Sequence, residues 1–553
     1  MTPLSNRYIW RWHMAAFALY SALSITFLDH GVTITQNIEG ISYDPTIYIW
    51  FFTWWPWAIS HHLNLLYTHL LWQPLGVSLA WVTSVPLLSL IGLPLTLLCG
   101  PVLTYNVLII AAPALAASAA YVLCLSITRA PAASLIGGYL FGFSSYEMAQ
   151  TLGHLNLSFT MFVPLLLLTI LRRLRGDLSR PAFILLAGLL MICQFLTSIE
   201  IFAMMCIFGA MAWVLALLYI PQRRAALRRL FADALATAPA VSLLLSPFLL
   251  SMLAHYGALR LPKDWPYGFS TDLLNIFTPT MVNLFGGYPY TAISTRFSGN
   301  ILEQGGYIGL PLMAIVFIFA RESHHLPVRR FLLLIFVCLI FASLGPHLLI
   351  DGHYAKIILP WVLAVHVPLA GAALPARFAM FASLALAIIA AIWIADAPPG
   401  RARKRRLALG GLACIALLPR PHPWMSIPHS RFFQPGNVQA ALGADAQILI
   451  LPFSINGPSS LWQEESNFSF SQTGGYVGPP PAGMQAFAAV NQLFGDFQRP
   501  RFTRDFQLFC IATGTQFVIA GPGTSGTLMA TLKSLAWPSR QIDDVTIFTV
   551  PHG

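Results

Sequence analysis

Long, uncharged, mostly apolar stretches alternate with short arginine-rich segments through the first 419 residues of the chain. A spanning helix needs about 20 such residues, because the hydrocarbon core is roughly 30 Å thick and a helix rises about 1.5 Å per residue. The pattern excludes a soluble globular chain. Only 9% of the residues are charged and 57% are hydrophobic, against about 25% charged in an average soluble domain.

Basic residues in short loops orient the spans. They cluster at Arg7 and Arg11, Arg129, Arg172 to Arg180, Arg223 to Arg229, Arg321 to Arg330, and Arg401 to Arg406. Placing all six clusters in the cytoplasm requires paired spans between them. The candidates are 14–33, 105–127, 131–148, 155–171, 182–197, 200–219, 231–253, 307–320, 331–345, 376–395 and 407–419. The stretches 84–100 and 357–374 are each broken by two prolines (Pro86 and Pro94, Pro360 and Pro368) and read as re-entrant or as lying between helices. The expected fold class is therefore an α-helical polytopic membrane protein with about 11 to 13 transmembrane helices, its N-terminus cytoplasmic. The first apolar stretch lacks a small-residue cleavage site and reads as an uncleaved span.

This reading leaves a first outer loop at 34–83, a second at 254–306 and an outer tail at 420–553. The expected domains are a membrane domain, 1–419, and a small extracytoplasmic (periplasmic) α/β domain, 420–553. In the tail, β-rich runs at Gln447–Phe453, Gln516–Ala520 and Val545–Val550 alternate with helical stretches. The net charge of +11 divides along the same lines: 19 basic against 4 acidic residues inside, 5 against 9 in the outer parts of the membrane domain, and 7 against 7 in the tail. The positive excess is an orientation signal, and no nucleic-acid partner is expected. The seven cysteines stand singly, with no CxxC pair, which argues against a disulfide framework or a zinc site.

Carboxylates gather outside, so polar chemistry is expected there. Six of the fifteen tryptophans lie between residues 50 and 81. Trp50, Trp54 and Trp57 recur at helical spacing, so one helix face is expected to rest among lipid headgroups, with direct stacking on a sugar as the alternative. Asp44, followed by Pro45, stands a few residues beyond the first span in a turn that presents it. A carboxylate there can act as a general base.

Several stretches carry a resemblance. They are Asp44-Pro45 with Trp50 and Trp54, the run from Gln73-Pro74, and Phe141-Gly-Phe-Ser-Ser with Gln150 and Gly153-His154. Leu344-Gly-Pro-His347, Leu374-Pro-Ala-Arg377-Phe378, Ile448-Leu-Ile-Leu-Pro452 and Gly474-Gly-Tyr476 extend it. With the long first outer loop, many spans and an outer tail, the chain resembles a bacterial group of GT-C-type integral-membrane glycosyltransferases over most of its length. The resemblance implies inverting transfer of a sugar from a polyprenyl-phosphate donor to a glycan, lipid or protein acceptor, on the outer face of the inner membrane. It implies Asp44 as the catalytic base. Asp44 is flanked by Tyr43 and Pro45 where some members carry two adjacent acidic residues, so no metal ligands are assigned and no cofactor is expected; Glu39 could approach Asp44, which leaves a divalent ion open.

Such a donor calls for phosphate- and sugar-binding groups at the outer headgroup level. Arg377, at the start of a span after Pro375, is the first candidate to grip phosphate bidentately. Arg296 and Lys263 are weaker candidates. His154 lies in a short outer turn near Glu147 and Gln150, and Glu200 and Glu303 begin spans at the same level, suited to substrate contact or to capping a helix. Two other functions remain open on sequence: a transporter or flippase of a lipid-linked glycan, and a non-catalytic scaffold of envelope assembly.

Overall fold

Residues 6–259, 262, 264–367, 371 and 373–551 are described by the computed structural model; Arg260, Lys263 and Pro368 lie outside them, and of Arg7 only the backbone is described. The chain is mostly helical and divides into two compact units. The first comprises Met1–Val32, Val107–Leu244 and Pro262–Pro423; the second comprises Thr33–Asn106, Leu245–Leu261 and Trp424–Gly553.

Among the described residues five helices are long and apolar enough to cross a membrane: Pro101–Thr128, Leu155–Arg175, Arg180–Thr197, Ile199–Tyr219 and Pro375–Ala395, or six if a bent pair counts as one span. Other stretches expected to span form shorter helices. Pro131–Gly142 has 12 residues, Leu310–Ser323 has 14 and Pro327–Ser343 has 17. Proline stands at the start of each, where its fixed φ opens a helix without costing a bond. A 14-residue helix is only about 21 Å long, short of the hydrocarbon thickness.

In the first unit, Ala379–Ala395 carries no charge and is apolar on every side, so it is buried all round rather than along one stripe. Small residues let the helix Pro131–Gly142 close on it. A Cβ on Gly137 would stand 2.8 Å from Cys124 Sγ and 3.1 Å from the Ala387 carbonyl oxygen. The buried Asp233 is held by Arg173 at 2.8 Å and Arg180 at 2.9 Å, which ties three helices together at their basic ends.

The second unit joins three distant stretches of chain. Asn37–Glu39 pairs antiparallel with Trp424–Ser426, Glu39 opposite Trp424. A five-stranded sheet runs in the order Ser539–Ile542, Val545–Thr549, Phe517–Ala520, Gln447–Leu451, Ser471–Gln472. Its central pair, Gln447–Leu451 with Phe517–Ala520, is parallel. Ile448 to Leu451 is continuously apolar and buried, as a strand covered on both faces must be. Phe432, Phe433, Trp462 and Phe470 fill one side of that core.

The aromatic face of Pro45–Ser60 packs into this unit. Trp50 and Trp54 stack at 5.0 Å, both meet Phe468, and Trp50 Nε1 donates to Gln463 Oε1 at 3.0 Å. Both tryptophans are almost wholly buried. The expected headgroup face is thus occupied by protein at these two positions, because helical spacing marks an apolar face without telling whether lipid or protein covers it. Trp57, the third of the series, is half-exposed, stacked on His61 at 4.3 Å and 4.7 Å from the Phe468 ring.

Candidate functional site

Asp44 is the N-cap of Pro45–Ser60, with Pro45 at the first helical position. Its side chain makes no capping bond to the helix. Ser42 Oγ donates to Asp44 Oδ2 at 2.6 Å and accepts the Asp44 N–H at 3.2 Å. Tyr476 Oη donates to the other oxygen, Oδ1. Asp44 is half-buried and Tyr476 is buried. Burial, reinforced by the neighbouring Asp44 charge, pushes the Tyr476 phenol well above its usual range, so it remains a proton donor to the carboxylate.

Glu39 is fully buried. Its backbone N–H donates to Asn106 Oδ1 at 3.1 Å and its carbonyl accepts the Tyr105 hydroxyl at 3.1 Å, so the residue anchors the base of the loop that presents Asp44. Tyr48, one turn into the helix after Asp44, stacks on Tyr105 with ring centroids 5.9 Å apart.

In the first unit, four of the residues singled out from sequence converge. Arg377 donates through Nε to both oxygens of Glu303, at 3.0 and 3.2 Å, and through Nη1 to Glu200. His154 Nδ1 lies 2.7 Å from Gln150 Oε1 and 3.9 Å from Glu303 Oε1. Gln150 Nε2 donates to the Leu302 carbonyl at 2.8 Å, which fixes the short turn carrying Glu303. Burial raises the Glu303 carboxyl, but the adjacent Arg377 guanidinium outweighs it and holds the group below its ordinary range. Arg377 thus spends its fork on two carboxylates rather than presenting it open for a phosphate.

Arg296 does not join them. It pairs with Asp351 at the surface, 2.9 and 2.7 Å from Nε and Nη2, with nearly half of its side chain exposed. Among the described residues no three His, Cys, Asp or Glu side chains gather as metal ligands would.

Sequence reasoning did not assign roles to Ser42 or Tyr476. Ser42 is two residues from Asp44 and could have been read as a local partner. Tyr476 lies 432 residues away, and its signal was its place in the Gly474-Gly-Tyr476 stretch, one of those that carry the resemblance.

No curated protein matches the chain in sequence. In structure it is similar to arabinofuranosyltransferase AftD from Mycobacteria, with a TM-score of 0.58 at 16% identity over 100% of this chain and 40% of that one. It therefore spans well under half of that protein's length. It is also similar to the Archaeoglobus fulgidus oligosaccharyltransferase in the apo form, with a TM-score of 0.53 at 12% identity over 94% of this chain and 71% of that one. The same enzyme tethered to an acceptor peptide containing the NVT sequon gives a TM-score of 0.50 at 12% identity, over 92% and 69%. The fold is thus of the GT-C glycosyltransferase kind. By sequence, residues 14–418 match the family described as Domain of unknown function (DUF6311), and the chain belongs to that family.

Proposed function

We propose that the chain is a GT-C-type membrane glycosyltransferase that moves a sugar from a polyprenyl-phosphate donor to an envelope glycan, lipid or protein acceptor, with Asp44 as general base. On this reading the reaction takes place on the outer face of a bacterial inner membrane, with the eleven-span orientation given by the arginine clusters. Asp44 takes the proton from an acceptor hydroxyl as that oxygen attacks the anomeric carbon, the bond to the phosphate oxygen breaks, and the configuration inverts.

The observation that carries the reading is the state of Asp44. It heads a helix without capping it, and its two oxygens accept hydrogen bonds from the Ser42 and Tyr476 hydroxyls. The GT-C fold, shared with two sugar-transferring enzymes, supports the class of reaction. The Arg377, Glu303, Glu200 and His154 cluster supplies donors and acceptors at close quarters.

The test is replacement of Asp44 by Asn in cells, following envelope glycans together with lipid-linked sugars. Loss of one sugar from the glycan, with the protein still present in the membrane, is the expected result. An unchanged glycan in that strain overturns the assignment of Asp44, and accumulation of a complete lipid-linked glycan points to transport instead.

A further inference from the structure

We infer that Tyr476 is a positioning residue for the transfer reaction, holding the Asp44 carboxylate in the one orientation from which it can take the acceptor proton. The inference rests on the proposed role of Asp44 as base. It adds that a segment more than 400 residues away completes that base.

The hydroxyl of Tyr476 donates to Oδ1 and that of Ser42 to Oδ2. A donor on each oxygen fixes the plane of the carboxylate as well as its position. The lone pairs then point in set directions, and general-base catalysis depends on such alignment. Ser42, two residues away on the same turn, meets only one of the two oxygens, and Tyr476 meets the other.

Tyr476 is itself held. Ser460 Oγ donates to its carbonyl at 2.8 Å and accepts its N–H at 3.1 Å. The preceding loop has little freedom. Gly475, at φ +115°, would place a Cβ 2.6 Å from Leu71 Cδ2, and a Cβ on Gly474 would lie 2.6 Å from Phe453 Cε2. Ser454 Oγ donates to the Gly475 carbonyl at 2.8 Å. A fully anchored phenol aimed at a half-buried carboxylate is more than the burial of an aromatic ring requires.

The test uses the full chain in membranes from a strain lacking the native protein, with a total lipid extract of the source cells as the pool of lipid-linked sugar donor. Transfer to envelope glycan is followed by mass spectrometry for wild type, Asp44→Asn, Tyr476→Phe and Ser460→Ala. Tyr476→Phe is expected to lower kcat about 10-fold while the apparent KM for the extract stays within about twofold, since alignment of a base affects the chemical step and not donor binding. Ser460→Ala, which keeps the phenol but loosens its anchor, is expected to lower kcat by a smaller factor, and it carries the test if Tyr476→Phe does not accumulate.

Wild-type kcat in Tyr476→Phe, or in Ser460→Ala where that variant carries the test, overturns the positioning role; so does a loss that lies wholly in KM. If those variants are unimpaired while Asp44→Asn is inactive, only the role of Tyr476 fails. If Asp44→Asn transfers sugar normally, the base assignment fails and the positioning role with it.

Discussion

Arg377 and Glu303, 74 residues apart in sequence, meet through the guanidinium Nε at 3.0 and 3.2 Å from the two carboxylate oxygens. Glu303 is almost wholly buried, and the same guanidinium also serves Glu200. One cation thus neutralises part of a surplus of acid that could not otherwise be kept from water. Removing it leaves carboxylates stranded. Arg377→Ala is expected to cost about 3–5 kcal/mol of stability, the usual penalty for breaking a buried pair from one side. The loss should deepen as pH rises above the ordinary carboxylate range, as Glu303 without its partner resists ionisation. Melting of the purified full chain in detergent through and above that range checks both points.

Asp44→Asn preserves the shape of the side chain and an oxygen acceptor for the neighbouring hydroxyls, so the fold should tolerate it. Transfer should fall by about 10²–10⁴-fold, the usual contribution of a general base. Membrane abundance and melting temperature should stay near those of wild type. A parallel fall in abundance would mark Asp44 as structural.

Glu464 offers a pH signature in the second unit. Burial pushes its carboxyl from 4.5 up to about 7, only partly offset by the Thr53 hydroxyl, which donates to Oε1 at 3.0 Å. The folded chain keeps this proton to about pH 7, whereas the unfolded chain releases it near 4.5. Folding therefore binds protons in that window, and the contribution of Glu464 to stability declines as pH rises through it and levels off above. Glu464→Gln should flatten that part of the melting curve against pH, and a wild-type slope in the variant would contradict the assignment.

Gln463 joins the helix after Asp44 to the sheet-bearing part of the same unit. It accepts from Trp50 Nε1 at 3.0 Å and donates to the carbonyls of Leu70 at 2.9 Å and Phe470 at 3.0 Å. Gln463→Leu strands all three partners, and a buried group left unsatisfied costs about 1–3 kcal/mol. A melting temperature several degrees lower is expected, with altered tryptophan fluorescence from Trp50. Unchanged values would mean that water replaces the lost partners.

What could be read from sequence was mostly local. Asp44 stood out because Pro45 follows it, and the helix start that the pair marks is where the helix begins. The strands Gln447–Leu451, Phe517–Ala520 and Val545–Thr549 lie within the β-rich runs, since dense apolar and β-branched residues between turn signals favour extended chain. Convergence was not legible. Nothing in the neighbourhoods of Glu200, Glu303 and Arg377 tells that they share one ion cluster, because long-range pairing leaves no periodicity. Trp50 and Trp54 show the same limit: their spacing marks a face, and only the partner residues Gln463 and Phe468 decide what lies against it.

The pairing of Asn37–Glu39 with Trp424–Ser426 has a consequence for biogenesis. During synthesis the loop bearing Asp44 emerges early, yet the strand beside it and the tyrosine on its carboxylate arrive only with the last quarter of the chain. Contacts so distant in sequence form late and slowly. The proposed base is therefore unfinished for most of translation, and a prematurely terminated chain would insert its helices while lacking Tyr476. Such a chain would occupy the membrane without completing the Asp44 site, so the order of synthesis itself delays assembly of that site until the tail has folded.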